Sequence, residues 1–185
     1  AQLAQFSSVS SLADMSKAYA AVSMAGRLFT DLETKRALLI GAGEIMQRVA
    51  EHLHEQRVAS MAIANRTLAN AANLAARFNG EAMELDAVAT QLHRFDIVIA
   101  STGSMLPVVH RTTVEAAIRQ RRRRPIFFVD LAVPRDVEPE VGDLADVYLY
   151  TIDDLTEIIE ENIRGRRAAA QTAEALVDQG TTHYL

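Results

Sequence analysis

The sequence predicts an α/β fold, a doubly wound and mainly parallel sheet followed by one long carboxy-terminal helix. Three observations carry that reading. Short apolar runs of strand length alternate with stretches of helical period. The intervening helices come in short units, which implies parallel pairing through right-handed crossovers. After the last strand a helical stretch runs from Asp153 to about Asp178.

Taken in order, Ser7 to Ser11 is a polar run with serines suited to cap a helix. Leu12, Met15, Tyr19, Val22 and Phe29 follow at helical spacing and predict an amphipathic helix over 11–29. Ala37 to Ile40 is apolar and stops at Gly41, the mark of a buried strand. Ile45, Val49 and Leu53 recur four apart and give a helix over 44–56. Met61 to Ala64 is the second strand; Thr67 to Phe78 is the next helix, with Thr67 as N-cap, Leu68, Ala71, Ala72 and Ala75 inward, and Asn79-Gly80 as its stop. A weak strand over 82–85, a short helix over 86–93 and the buried strand 96–100 come next. A helix over 113–121, a buried strand over 125–130 and a last strand over 147–150 complete the sheet. About 26 residues of terminal helix, at 1.5 Å each, reach about 39 Å, too far to lie across a small sheet, so part of it should project. The order fits a Rossmann-type sheet.

Composition agrees with a folded protein. Of 185 residues, 49% are hydrophobic and 23% charged, and the net charge is −5. That balance argues against disorder and against holding nucleic acid by bulk electrostatics. The absence of Cys removes a disulfide framework, a Cys-ligated zinc site and a Cys nucleophile. It fits a reducing compartment, and a cytoplasmic location is expected. No stretch approaches the roughly 18 unbroken apolar residues of a spanning helix, so no membrane partner is expected. The chain starts without Met and reads as a piece of something longer. Its expected parts are a polar lead-in over 1–9, a dinucleotide-binding domain over 10–150, and a long helix with its tail over 151–185.

The candidate chemistry begins where the first buried strand meets Gly41-Ala42-Gly43-Glu44-Ile45-Met46. Gly41 permits a tight turn. Gly43 removes a Cβ from the path of a pyrophosphate, and the free N–H groups of the following helix face it. Met46 holds the place of the third glycine of the dinucleotide fingerprint, which serves close helix–strand packing, so the helix should sit slightly further out. The second strand ends in Asn65-Arg66-Thr67, with no carboxylate to hold a ribose 2′-hydroxyl. Arg66 instead offers a planar cation for a 2′-phosphate or for stacking on adenine, which favours NADP over NAD. Ser101-Thr102-Gly103-Ser104 follows the fourth strand and lies where the nicotinamide ribose should pass. Arg135 and Asp136, after Pro134, either pair with each other or line the cleft.

GAGE (Gly41 to Glu44), ANRT (Ala64 to Thr67), IVIASTGS (Ile97 to Ser104), RRRRPIFFVDLAVPRDVEPEVG (Arg121 to Gly142) and VYLYTIDDL (Val147 to Leu155) together resemble the glutamyl-tRNA reductases. The resemblance runs from about Ser10 to about Ala175. It implies an enzyme that reduces glutamyl-tRNA to glutamate-1-semialdehyde with NADPH, on the route to tetrapyrroles such as porphyrins. It also implies a full-length homodimer with a catalytic domain, an NADPH-binding domain, a spinal helix and a dimerisation domain, in which a catalytic-domain Cys forms a thioester. This chain has no Cys. It is similar to the NADPH-binding domain alone, expected to bind the hydride donor through Gly41–Met46, Asn65–Thr67 and Ser101–Gly103 and to be inactive by itself. GAG and NRT loops also occur in shikimate and quinate dehydrogenases, which share the fold but not AVPRDVEPEV. A non-catalytic dinucleotide-binding module remains a third reading.

Other clusters read as structural. The run from Arg119 to Arg124 ends a helix, where cations favour the dipole, and reads as solvated, with an RNA contact as the competing reading. His52 and His54 are two apart on a helix and point to different faces, and no metal is expected. Asp153, Asp154, Glu157, Glu160 and Glu161 suit the start of the long helix.

Overall fold

The computed structural model describes residues 2–182, and the side-chain surroundings of residues 12–176. Helix α1 (Gln2–Leu28) precedes the sheet. The chain then runs β1 (Arg36–Ile40), α2 (Glu44–Glu55), β2 (Ser60–Asn65), α3 (Leu68–Ala76), β3 (Glu81–Glu84), α4 (Val88–Gln91), β4 (Ile97–Ala100), α5 (Arg111–Gln120), β5 (Ile126–Asp130) and β6 (Val147–Thr151). Helix α6 (Ile152–Thr182) is last.

The six strands form one parallel sheet in the order β3-β2-β1-β4-β5-β6. The chain enters at the middle with β1, winds out to β3, returns to β4 on the other side of β1 and winds out again. The order reverses between β1 and β4, and that is where a crevice opens at the carboxyl ends of the strands. All of β4 and β5, and β1 after Arg36, are buried. Such continuous apolar runs are required when helices cover both faces. One face joins Leu38, Ile40, Val98, Ala100 and Phe128 to Val88, Leu92, Phe95, Val114, Ala117 and Ile118. The alternate residues Leu39, Ile63, Ile99 and Phe127 are also fully buried, as are Met46, Val49 and Leu53 of α2.

Several expectations change. The helix expected over 11–29 begins at Gln2 and takes in the stretch read as a polar lead-in. Neither Pro nor Gly interrupts residues 2–11, so the helix has no reason to stop there. Its buried face is Ala18, Ala21, Val22 and Ala25, continued by Phe29 just past its end, whereas Leu12, Met15 and Tyr19 are exposed. Helix α1 packs on α2, and alanines let the two approach closely. In α3 the inward set is Ala71, Leu74 and Ala75, with Leu68 and Ala72 outside. Thr67 occupies the N-cap position, but its hydroxyl makes no capping bond. The stretch 86–93 is a single α-turn flanked by 3-10 turns at Leu85–Ala87 and Leu92–Arg94. No α-helix joins β5 to β6; the crossover is irregular with a 3-10 turn at Pro139–Asp143, and the strands still pair in parallel.

The molecule divides into two units, residues 1–152 and 153–185. The second is the 31-residue helix, about 46 Å long at 1.5 Å per residue. Asp153 and Asp154 sit in its first turn, favourable to the dipole, and residues 160–176 are all exposed. No helix among the described residues is long and apolar enough to cross a membrane.

Candidate functional site

Three loops leave the carboxyl ends of β1, β2 and β4 and enclose one cavity of about 340 Å³. Gly41, Ala42 and Gly43 form one wall, Asn65, Arg66 and Thr67 a second, and Ser101 to Ser104 a third, with Leu85 closing the far end. Ten of these eleven positions come from the three strings singled out above.

The glycines do different work. Gly41 has φ +118°, and a Cβ there would lie 2.2 Å from the Ser101 carbonyl oxygen. Only glycine allows the β1 and β4 loops to meet so closely. Around Gly41 the loops are laced by backbone bonds, Gly41 N–H donating to Ala64 O at 2.8 Å and Ser101 N–H to Ile40 O at 2.9 Å. Gly43 has ordinary backbone angles, and a Cβ there would meet nothing within 4 Å. Gly103 is likewise open. As the N-cap of α2, Gly43 brings no side chain to cap the first-turn N–H groups. They keep their capacity to bind an anion at the positive end of the dipole.

Met46 is fully buried, with its Cγ 3.5 Å from where a Gly41 Cβ would stand. Its side chain fills the space beneath the turn and does not line the cavity. Glu44 is exposed and Ile45 half-buried, and neither side chain lines it. Of the Glu44–Met46 segment, the backbone is what faces the crevice.

Arg66 reaches across the mouth to donate to Ser104 Oγ at 3.1 Å. Asn65 Nδ2 donates to the Thr67 carbonyl at 3.2 Å and shapes the turn between them. The β4 loop is held from behind by Asp136, which accepts from Thr102 N–H at 2.7 Å and from the Thr102 hydroxyl at 2.5 Å. Thr102 Oγ1 in turn accepts from Ser104 N–H at 3.1 Å, and Ser104 donates to Leu106 O at 2.7 Å. Asp130, at the end of β5, accepts from Ala132, Asp136 and Val137 N–H at 3.1, 2.9 and 2.9 Å. Both carboxylates are fully buried. Burial pushes both above the usual carboxylate range, opposed by the N–H and hydroxyl groups that donate to them. Asp136 therefore does not line the cleft but holds the β4 loop from behind.

Sequence reasoning missed Leu85 and Asp130, and it named Ser104 and Asp136 without the bonds they make. Leu85 follows the end of β3, so the rule that ligands lie beyond strand carboxyl ends was the signal for it. Nothing local marks Asp136, whose partner Thr102 is 34 residues away. The cavity lining contains one cation and, among the described residues, no carboxylate, histidine or nucleophile beyond hydroxyls. No group of three or more His, Asp or Glu among the described residues is disposed to hold a metal. The arrangement suits an elongated polyanion whose phosphates meet backbone N–H groups and a guanidinium.

Comparisons with known proteins place this geometry. Residues 23–158 match the family model for shikimate / quinate 5-dehydrogenase. A glutamyl-tRNA reductase of Saccharophagus degradans is 54% identical over 92% of this chain and 40% of its own length. One from Ectopseudomonas mendocina is 52% identical with the same coverage. The solved glutamyl-tRNA reductase of Methanopyrus kandleri shares 40% identity at a TM-score of 0.77, over 88% of this chain and 41% of that one. The chain thus spans about 40% of the length of the curated relatives it matches. It belongs to the shikimate/quinate 5-dehydrogenase domain family, and within it is similar to the corresponding segment of glutamyl-tRNA reductases.

Proposed function

We propose that this chain is the NADPH-binding domain of a glutamyl-tRNA reductase. The whole protein, on this reading, is an NADP-dependent oxidoreductase of the cytoplasm, a homodimer that reduces glutamyl-tRNA to glutamate-1-semialdehyde for tetrapyrrole synthesis. Residues 10–150 bind the dinucleotide and 151–185 form the spinal segment. The observation that carries the proposal is the cavity at the reversal of strand order, walled by the glycine turn, Arg66 and the Ser101–Ser104 loop. Its residues fit the cofactor: space lies open where a Gly43 Cβ would stand, and the α2 N-terminus has no side-chain cap.

The backbone N–H groups of Glu44, Ile45 and Met46, with Gly41, Ala42 and Gly43 making room, would hold the pyrophosphate. Arg66, released from Ser104, would grip the 2′-phosphate, with Asn65 and Thr67 beside it and Leu85 against the adenine. Ser101, Thr102 and Gly103 would seat the nicotinamide ribose, kept in place by Asp136. The bound cofactor supplies hydride. With no Cys in the chain, the thioester chemistry of the resembled family has no nucleophile here. The chain alone therefore binds the hydride donor without turning over substrate, and the reacting glutamyl ester of glutamyl-tRNA and the second protomer are met through the rest of the protein.

Arg66→Ala tests the reading. It should weaken NADPH by about 1.5–3 kcal/mol, the worth of a charge-assisted contact, and leave NADH nearly unchanged. An equal loss for both cofactors in calorimetric titration would remove Arg66 from the 2′-phosphate site. The shikimate dehydrogenase reading rests on the shared domain family and the GAG and NRT loops, and leaves AVPRDVEPEV unexplained.

A further inference from the structure

The turn between α5 and β5 lies at the amino edge of the sheet, away from the cofactor cavity. Arg121 anchors it from inside, with its side chain 2% exposed. The guanidinium donates to Asp96 Oδ1 at 2.8 Å and to the carbonyls of Pro125, Arg124 and His93 at 2.8, 3.1 and 3.2 Å. This is a fixed frame, and Arg119, Arg122, Arg123 and Arg124 project from it exposed.

Two features separate this turn from an ordinary solvated charge run. Arg122 and Arg123 have φ of 54° and 61°, the left-handed region where a Cβ is disfavoured and Gly or Asn is the usual choice. Neighbouring positions 119 and 124 already supply surface charge, so solubility does not require arginine at the two strained ones. Arg119 and Arg123 also flank a concavity of about 210 Å³ whose apolar lining includes Leu144 and Ala145. Glu115 borders it too, but Arg111 engages that carboxylate at 2.8 Å. Asp146 stands 3.9 Å from Arg123, and Arg119 and Arg122 have no ion-pair partner among the described residues.

We propose that this arginine turn contacts the phosphate backbone of RNA, the concavity taking one phosphate and its ribose between Arg119 and Arg123. The partner class rests on the proposed function, which makes a tRNA the substrate of the whole protein. Planar guanidinium groups suit phosphate, and the concavity offers no aromatic platform for a base, so the contact tolerates sequence and depends on salt. A chain with net charge −5 gains such a contact only locally, within the Debye length of about 8 Å. The turn and the cofactor cavity stand at opposite ends of the strands, so the two ligands bind without competing.

The test uses the 185-residue chain, a fluorescent glutamate-accepting tRNA read by anisotropy at stepped salt, and NADPH titrated into the same samples. The Arg122→Asn/Arg123→Asn pair should keep or raise the melting temperature, because Asn tolerates the left-handed backbone. It should weaken tRNA about tenfold and reduce the salt slope by about 2, two phosphate contacts being lost. Arg119→Gln, outside the strained pair, should also weaken tRNA and leave NADPH binding intact. Arg48→Gln/Arg77→Gln removes equal charge outside the turn, from two arginines that pair with Glu51, and should leave tRNA affinity and the salt slope unchanged. Unaltered tRNA affinity in both folded turn variants, or an equal loss in the Arg48/Arg77 control, would overturn the proposal. A wild-type chain that binds NADPH but no tRNA at low salt would overturn the arginine turn alone. One that binds tRNA through the turn but no NADPH would support the turn and overturn the cofactor reading.

Discussion

Gly41 and Gly43 sit two residues apart and should answer substitution in opposite ways. A Cβ on Gly41 meets the Ser101 carbonyl at 2.2 Å, on a backbone with φ +118°. Gly41→Ala is expected to cost roughly 2–4 kcal/mol of stability in chemical denaturation. Gly43→Val meets open space, so the fold should stand while dinucleotide binding is abolished. Binding that survives Gly43→Val would place the pyrophosphate elsewhere. Asp136 makes a second prediction at this scale. Burial raises its pKa in the folded chain, so the native state holds that proton more tightly than the unfolded state does. The stability from this group is fully present below the ordinary carboxylate range and is lost as pH rises through the raised value. The melting-temperature advantage of wild type over Asp136→Asn should therefore shrink as pH climbs out of the acid range, and a widening gap would contradict the assignment. At this scale the glycines were legible because their strand–turn–helix setting is local. Asp136 was not, because its meaning lies in a bond to Thr102, distant in the chain.

Among the elements, the strands were the easiest to read and the helix faces the hardest. Residues 97–100 and 126–130 are buried throughout, so apolarity alone marks them. In α1 the large apolar residues misled, because close packing on α2 favours Ala18, Ala21 and Ala25. Arg121 was hidden by its neighbours, since nothing within a run of arginines says which one turns inward. Its pair with Asp96 joins the α5–β5 turn to the start of β4, and Asp96 Oδ2 also accepts from Arg36 N–H at 3.0 Å, which adds the start of β1. Removing one partner leaves the other charge buried and unpaired. Arg121→Ala should cost about 3–5 kcal/mol by urea denaturation, well above the change expected for an exposed arginine such as Arg119. A loss below about 1 kcal/mol would mean that the pair is solvated.

At the scale of the whole molecule, the winding of the sheet creates the site. Entering at β1 and reversing at β4 brings three short loops, separated by up to 60 residues of sequence, to one crevice. The sequence placed each loop, because each follows a buried strand directly. It did not show how Arg66 meets Ser104 or that Leu85 closes the far end, since both depend on the order of strands in the sheet. The central claim is that this crevice selects NADPH, and calorimetric titration of the folded chain with NADPH and, separately, NADH tests it most directly. The account predicts NADPH binding tighter by at least about tenfold, the share of one charge-assisted contact. A folded chain that takes NADH as well as NADPH, or neither, would contradict it.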